Sequence, residues 1–152
     1  MSTRDIKQKL LQECQNYVSQ RLQRIQNSIE DIQESLTSET KSTAGDKHET
    51  GRAMLQLERE KAGKQLAEVQ KLQEILQKID INATSNRIHL GSLIETSNGN
   101  YFISISVGKI QLNDYTYFAI APNSPIGKAL LGKTLEDTFS FNGSHFNITG
   151  VQ

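Results

Sequence analysis

Tryptophan is absent, cysteine occurs once and proline twice in 152 residues, and 17 basic side chains balance 17 acidic ones. Each scarcity excludes something. A lone cysteine, Cys14, closes no internal disulfide, which fits a reducing compartment. Zero net charge removes a bulk electrostatic case for binding DNA or an anionic membrane. No apolar run approaches the ~20 residues of a membrane helix. The opening Met1-Ser-Thr-Arg-Asp-Ile-Lys lacks the apolar stretch of a signal peptide. The expectation is a soluble, cytoplasmic protein without a membrane partner, and the sequons at Asn82, Asn142 and Asn147 are then chance matches.

What is present divides unevenly. Residues 1–80 hold 26 of the 34 formal charges and one aromatic, Tyr17. Residues 81–152 hold the other eight aromatics and both prolines. The first part therefore reads as a solvated helical element and the second as a small packed domain.

In residues 3–40, Ile6, Leu10, Cys14, Val18, Leu22, Ile25, Ile29, Ile32 and Leu36 recur at gaps of four and three. That spacing makes one narrow apolar stripe, a coiled-coil seam. The second arm repeats it through Leu55, Ala62, Leu66, Val69, Leu72 or Gln73, Leu76 and Ile79. Neither stripe is stable alone. A polar break of about ten residues between them, Ser42-Thr-Ala-Gly-Asp-Lys-His-Glu-Thr-Gly51, favours antiparallel neighbours. At ~1.5 Å of rise per residue, an arm of about 34 residues extends roughly 50 Å. A dimeric, intermolecular coiled coil is the alternative that the same stripes allow.

The break presents Asp46 and Glu49, three residues apart where the second helix begins. Asp-x-x-Glu is a capping-box pattern, and carboxylates there suit the helix dipole. The same spacing puts both side chains on one helix face, with Cβ atoms ~5–6 Å apart, in reach of a single hard cation. Two ligands alone hold Mg²⁺ weakly, so any metal chemistry is completed by another molecule's ligands.

After a polar linker at 81–87, strands are expected at 88–95, 100–107, 115–121, 137–142 and 144–151. Asn98-Gly99 and Asn142-Gly143 are hairpin turn signals. Ser124-Pro125 opens a short helix, with Ser as N-cap and Pro at its first position, and Gly132 ends it. The result is an antiparallel sheet packed with one short helix, an α+β arrangement.

Two segments carry a resemblance. Gly45-Asp-Lys-His-Glu49 resembles the hairpin-tip motif of the bacterial Gre transcript-cleavage factors, the GreA/GreB family, in which Gly-Asp-x-x-Glu-Asn is characteristic. Asn123-Ser-Pro-Ile-Gly-Lys-Ala-Leu-Leu-Gly-Lys133 is similar to that family's Ser-Pro-Ile-x-x-x-Leu-Leu-Gly-Lys stretch. The resemblance covers nearly the whole chain and implies a coiled-coil hairpin over 1–80 with its tip at 42–51. An FKBP-like, polymerase-docking domain over 88–152 then follows.

By that resemblance the protein is a transcription elongation factor whose partner is RNA polymerase. It enters the secondary channel and stimulates cleavage of the backtracked RNA 3′ end. Asp46 and Glu49 are then catalytic in trans, helping to hold a Mg²⁺ shared with the polymerase and not bound stably by the factor alone. The chain is accordingly no enzyme by itself and is expected as a monomer. Asn123, Ser124 and Pro125 are implied as the polymerase-docking residues, although an N-cap turn also explains Ser and Pro. Where the family has Asn and then Tyr after the acidic pair, this chain has Thr50, Gly51, Arg52, Ala53 and Met54. That departure bears on cleavage more than on polymerase binding. It keeps two alternatives open: a channel-binding regulator without cleavage, and a structural coiled-coil protein with an FKBP-like interaction domain.

Other candidates are weaker. Lys47, His48 and Arg52 near the tip are RNA-contact candidates, though a solvated charged loop explains them as well. Gly127-Lys-Ala-Leu-Leu-Gly-Lys-Thr134 matches the P-loop pattern formally. Its interior reads as helix where a P-loop needs an open turn before the lysine. His48, His89 and His145 show no ligand spacing, and Cys14 on the stripe reads as a buried small hydrophobe.

Overall fold

A computed structural model describes residues 2–41 and 46–152, with side chains described for 2–39 and 50–152. Two long helices come first, α1 (Thr3–Lys41) and α2 (Asp46–Gln77). Six strands and one short helix follow: β1 (Leu93–Thr96), β2 (Gly99–Ile103), β3 (Gly108–Leu112), β4 (Tyr115–Ile120), α3 (Pro125–Leu130), β5 (Thr138–Phe141) and β6 (Ser144–Val151). The architecture is a helical hairpin followed by a mostly antiparallel sheet with one short helix. By contacts the chain divides into two compact units, Val18–Gln73 and the combination of Met1–Tyr17 with Glu74–Gln152.

The Val18–Gln73 unit is a pair of helices closed by its apolar stripes. Val18, Ile25, Leu36, Ala62 and Val69 are buried, while Leu22, Ile29, Ile32, Leu55, Leu66 and Leu72 are half-buried. Each fully buried aliphatic side chain contributes about 1.5–3 kcal/mol. Those increments stabilise helices that would be marginal singly. Close to the 41–46 junction, Arg52 Nη1 donates to the Leu36 carbonyl at 3.4 Å. A Cβ added at Gly51 would lie 3.2 Å from Glu39 Oε1. Residues 36–39 and 51–52 are thus apposed, as an antiparallel hairpin requires. The expected break at 42–51 is shorter than the sequence suggests, because α2 already begins at Asp46.

In the other unit the strands run in the order β3-β4-β2-β1-β6-β5. The pairings are antiparallel except β2·β4, where Asn100–Ile103 lies parallel to Tyr117–Ile120. β3 was not expected, and it creates that exception. The segment expected as one strand over 100–107 breaks after Ile103, and Gly108 takes φ +93, a conformation glycine reaches without steric cost. The chain swings out to form β3 and returns antiparallel as β4 between β3 and β2. The strand expected over 88–95 begins only at Leu93. Before it, Gly91 at φ +92 turns the chain, and a Cβ there would meet Ile79 Cγ2 at 3.2 Å. The first hairpin turn is one residue earlier than Asn98-Gly99, since Gly99 already pairs with Thr96.

One face of the sheet carries the main core: Ile88, Ile94, Tyr101, Ile103, Phe139 and Ile148 with Ile126 and Leu130 of α3. The start of α1, the end of α2 and the segment after it belong to the same unit and bury Leu10, Cys14, Leu76 and Ile79. Cys14 Sγ lies 3.5 Å from Ser104 Oγ, Thr3 Oγ1 donates to Gln152 Oε1 at 2.7 Å, and Arg4 Nε donates to Asn82 Oδ1 at 2.6 Å. On α1 the stripe departs from expectation at one position. Ile6 is half-buried, and Lys7, only 1% exposed, takes the inward place.

Candidate functional site

The hairpin junction is the first candidate. Asp46 opens α2 and Glu49 follows three residues later in the same helical backbone, which gives the i, i+3 relation two side chains need to share a face. The side chains of Asp46, Lys47, His48 and Glu49 lie outside the described residues. Arg52, an RNA-contact candidate, is half-buried and donates across to Leu36. Gly51 sits against the Glu39 carboxylate. Gly51 and Arg52, just after the acidic pair, therefore lie against α1.

The α3 loop is the second. Ser124 is the N-cap in extended conformation; its Oγ accepts from Gly127 N at 3.1 Å and donates to the Ala121 carbonyl at 2.6 Å. Both capacities of the hydroxyl are used, so the cap fixes the loop. Pro125 supplies the first helical position, where a missing N–H costs nothing. Gly127 is compelled by space: an added Cβ would lie 2.1 Å from the Ala121 oxygen and 2.9 Å from that of Pro122. Asn123 and Pro125 are exposed on this rigid turn. The helix ends before Lys133, with Leu131 N donating to Gly127 O, so the P-loop pattern has its helix on the wrong side of the lysine. Asp137 Oδ2 accepts from Thr134 N at 2.7 Å. Those Thr134 hydrogen bonds hold its carboxyl below the usual range.

Among the described residues no three His, Cys, Asp or Glu side chains converge on one point. His89 Nδ1 lies 2.9 Å from Ser92 Oγ, and His145 Nδ1 lies 2.8 Å from Ser140 Oγ. Burial pushes the Cys14 thiol up, away from thiolate reactivity.

Sequence reasoning passed over a third feature, an open cleft of about 800 Å³ in the sheet unit. Glu95, Asn100 and Tyr117 line it from neighbouring strands. Register aligns them: Glu95 is opposite Asn100, and Asn100 is beside Tyr117. Asp114 and Tyr115 enter from the β3–β4 turn and Ile6 from α1. The only hint in sequence was the alternation of Tyr115 and Tyr117, which reads equally as an ordinary strand.

No protein-family profile matches this chain, and no curated protein matches it. It is similar to the solved structure of the transcription factor Gfh1, with 17% sequence identity over 93% of this chain and 92% of that chain, at a TM-score of 0.34. A likeness this distant carries no argument about function, and the fold stands on the elements described above.

Proposed function

We propose that this chain is a Gre-type transcription elongation factor that enters the secondary channel of RNA polymerase and stimulates cleavage of backtracked nascent RNA. The observation that carries the reading is the placement of Asp46 and Glu49 in the first turn of α2, directly after the hairpin junction. The resemblance of 45–49 and 123–133 to the Gre motifs, in that order along the chain, supports it.

Two carboxylates at i, i+3 fit a hard cation by donor chemistry, since Mg²⁺ prefers oxygen ligands in octahedral array. They supply too few ligands alone, so the polymerase's own ligands would complete the site. When bound there, Mg²⁺ would stabilise charge on the oxygens of an in-line phosphodiester displacement. The chain's own contribution is delivery: α1 and α2 pack as a hairpin, and α2 carries Asp46 and Glu49 three residues apart in its first turn. Asn123 and Pro125, held by the Ser124 cap, form the docking turn. In this reading the protein acts as a monomer and is not an enzyme without the polymerase.

A second reading, a channel-binding regulator without cleavage, is favoured by the engagement of Gly51 and Arg52 inside the hairpin. Thr50 to Met54 then offer no counterpart to the family's Asn and Tyr. RNA cleavage in a backtracked elongation complex of the cognate polymerase separates the two. Wild type is expected to accelerate cleavage, and Asp46→Ala/Glu49→Ala to lose at least about a hundredfold of that acceleration while still binding. Binding by wild type without cleavage would establish the regulator instead, and absence of binding would remove both.

A further inference from the structure

The cleft beside β4 combines features that ordinary surface does not. Tyr117 is 6% exposed, yet its hydroxyl has no partner among the described residues. Tyr101, equally buried, shows the normal arrangement, accepting from Asn98 Nδ2 at 2.7 Å. A buried phenol usually finds a hydrogen-bond partner, so an idle one facing a cavity points to an occupant. Burial first, then the nearby Glu95 and Tyr115, raise the Tyr117 pKa. The group therefore stays a protonated donor and acceptor at neutral pH.

The charge of the lining selects the occupant. Glu95 and Asp114 bring two carboxylates, and among the described residues no cationic side chain lines the cleft. Asn100 Nδ2 reaches toward Thr116 O at 3.5 Å, leaving Oδ1 free to accept. Tyr115 lies at the mouth with 64% of its surface exposed, a ring face of the kind that attracts cations. Acceptors and an aromatic face suit a guanidinium or ammonium group and repel phosphate. A volume of about 800 Å³ exceeds what one side chain fills, so the chain flanking that cation also lies in the cleft.

We infer that the cleft between Glu95, Asn100, Asp114, Tyr115 and Tyr117 is a docking site for a basic segment of a partner protein, with an arginine or lysine side chain set between the two carboxylates. The inference does not rest on the reading of Asp46 and Glu49. Its carboxylates bind the cation by charge-assisted hydrogen bonds. The Tyr117 hydroxyl and Asn100 Oδ1 take up the flanking polar groups.

The test uses the full chain, labelled with ¹⁵N, titrated with an acetylated and amidated Ala-Arg-Ala-Lys-Ala peptide. The control is the same peptide with neutral citrulline and norleucine in place of the cations. The expected result is saturable amide shifts confined to Glu95, Asn100 and Asp114–Tyr117, at least about tenfold weaker for the neutral peptide. Glu95→Gln/Asp114→Asn is expected to weaken binding about tenfold. Tyr117→Phe, whose fold the same spectra report, is expected to weaken it about threefold. Equal shifts with both peptides, shifts on another surface, or unchanged binding by Glu95→Gln/Asp114→Asn would overturn the inference. So would reproduction of the shifts by Mg²⁺ alone, which would make the cleft a metal site.

Discussion

At the scale of single residues, two positions show how far packing decides identity. Gly127 has no alternative, because a methyl group would overlap the Ala121 carbonyl and the tight turn leaves no slack. Gly127→Ala is expected to cost about 2–3 kcal/mol in a denaturant melt, whereas a cost under about 0.5 kcal/mol would show that the turn yields. Lys7 presents the opposite case, a cation in a core position with one long hydrogen bond, 3.4 Å to the Ala83 carbonyl. Burial lowers its pKa from the ordinary 10.5, and the field of Asp80 opposes that in part. Between the lowered value and 10.5 the unfolded chain holds more protons than the folded one, so stability rises with pH across that window. Lys7→Met keeps the stem's packing and removes the charge. It is expected to raise stability at pH 7 by about 1 kcal/mol and to flatten the rise on the alkaline side. A loss of stability at pH 7 would mean that the Asp80 attraction outweighs burial.

At the scale of elements, what was legible in the sequence was local. The helices follow from gaps of three and four, and Val18, Ile25, Leu36, Ala62 and Val69 are buried as the stripes require. Val69→Ala, at a fully buried position, is expected to cost about 2 kcal/mol and to reduce the cooperativity of helix melting followed by circular dichroism. An unaltered melt would show that the seam does not close there. The short helix was legible from Ser124-Pro125, and the last hairpin from Asn142-Gly143, where both residues take positive φ. Non-local choices were not legible. Nothing in 100–107 states that the chain breaks after Ile103, because Ser-Ile-Ser-Val alternates as a strand would. The parallel β2·β4 pairing depends on where β3 folds back, and pairing partners far apart leave no mark on local periodicity. Lys7 left a signal that hydropathy overrode: it lies three residues before Leu10 and seven before Cys14, on the stripe by position though not by character.

At the scale of the whole molecule, the candidate sites differed in legibility for a chemical reason. Asp46 and Glu49 are contiguous in sequence and were found as a motif. Glu95, Asn100 and Tyr117 meet only through strand register and were not. In the proposed function the start of α2 works beside the polymerase's catalytic metal. Replacing Mg²⁺ with Fe²⁺ in a backtracked elongation complex generates hydroxyl radicals at that metal, and these cut polypeptide only in its immediate neighbourhood. With this protein bound, the expected result is cleavage of its chain around residues 46–49, suppressed when excess Mg²⁺ competes. Cuts elsewhere in the chain, or an intact chain in a complex shown to contain it, would mean that the start of α2 does not reach that metal.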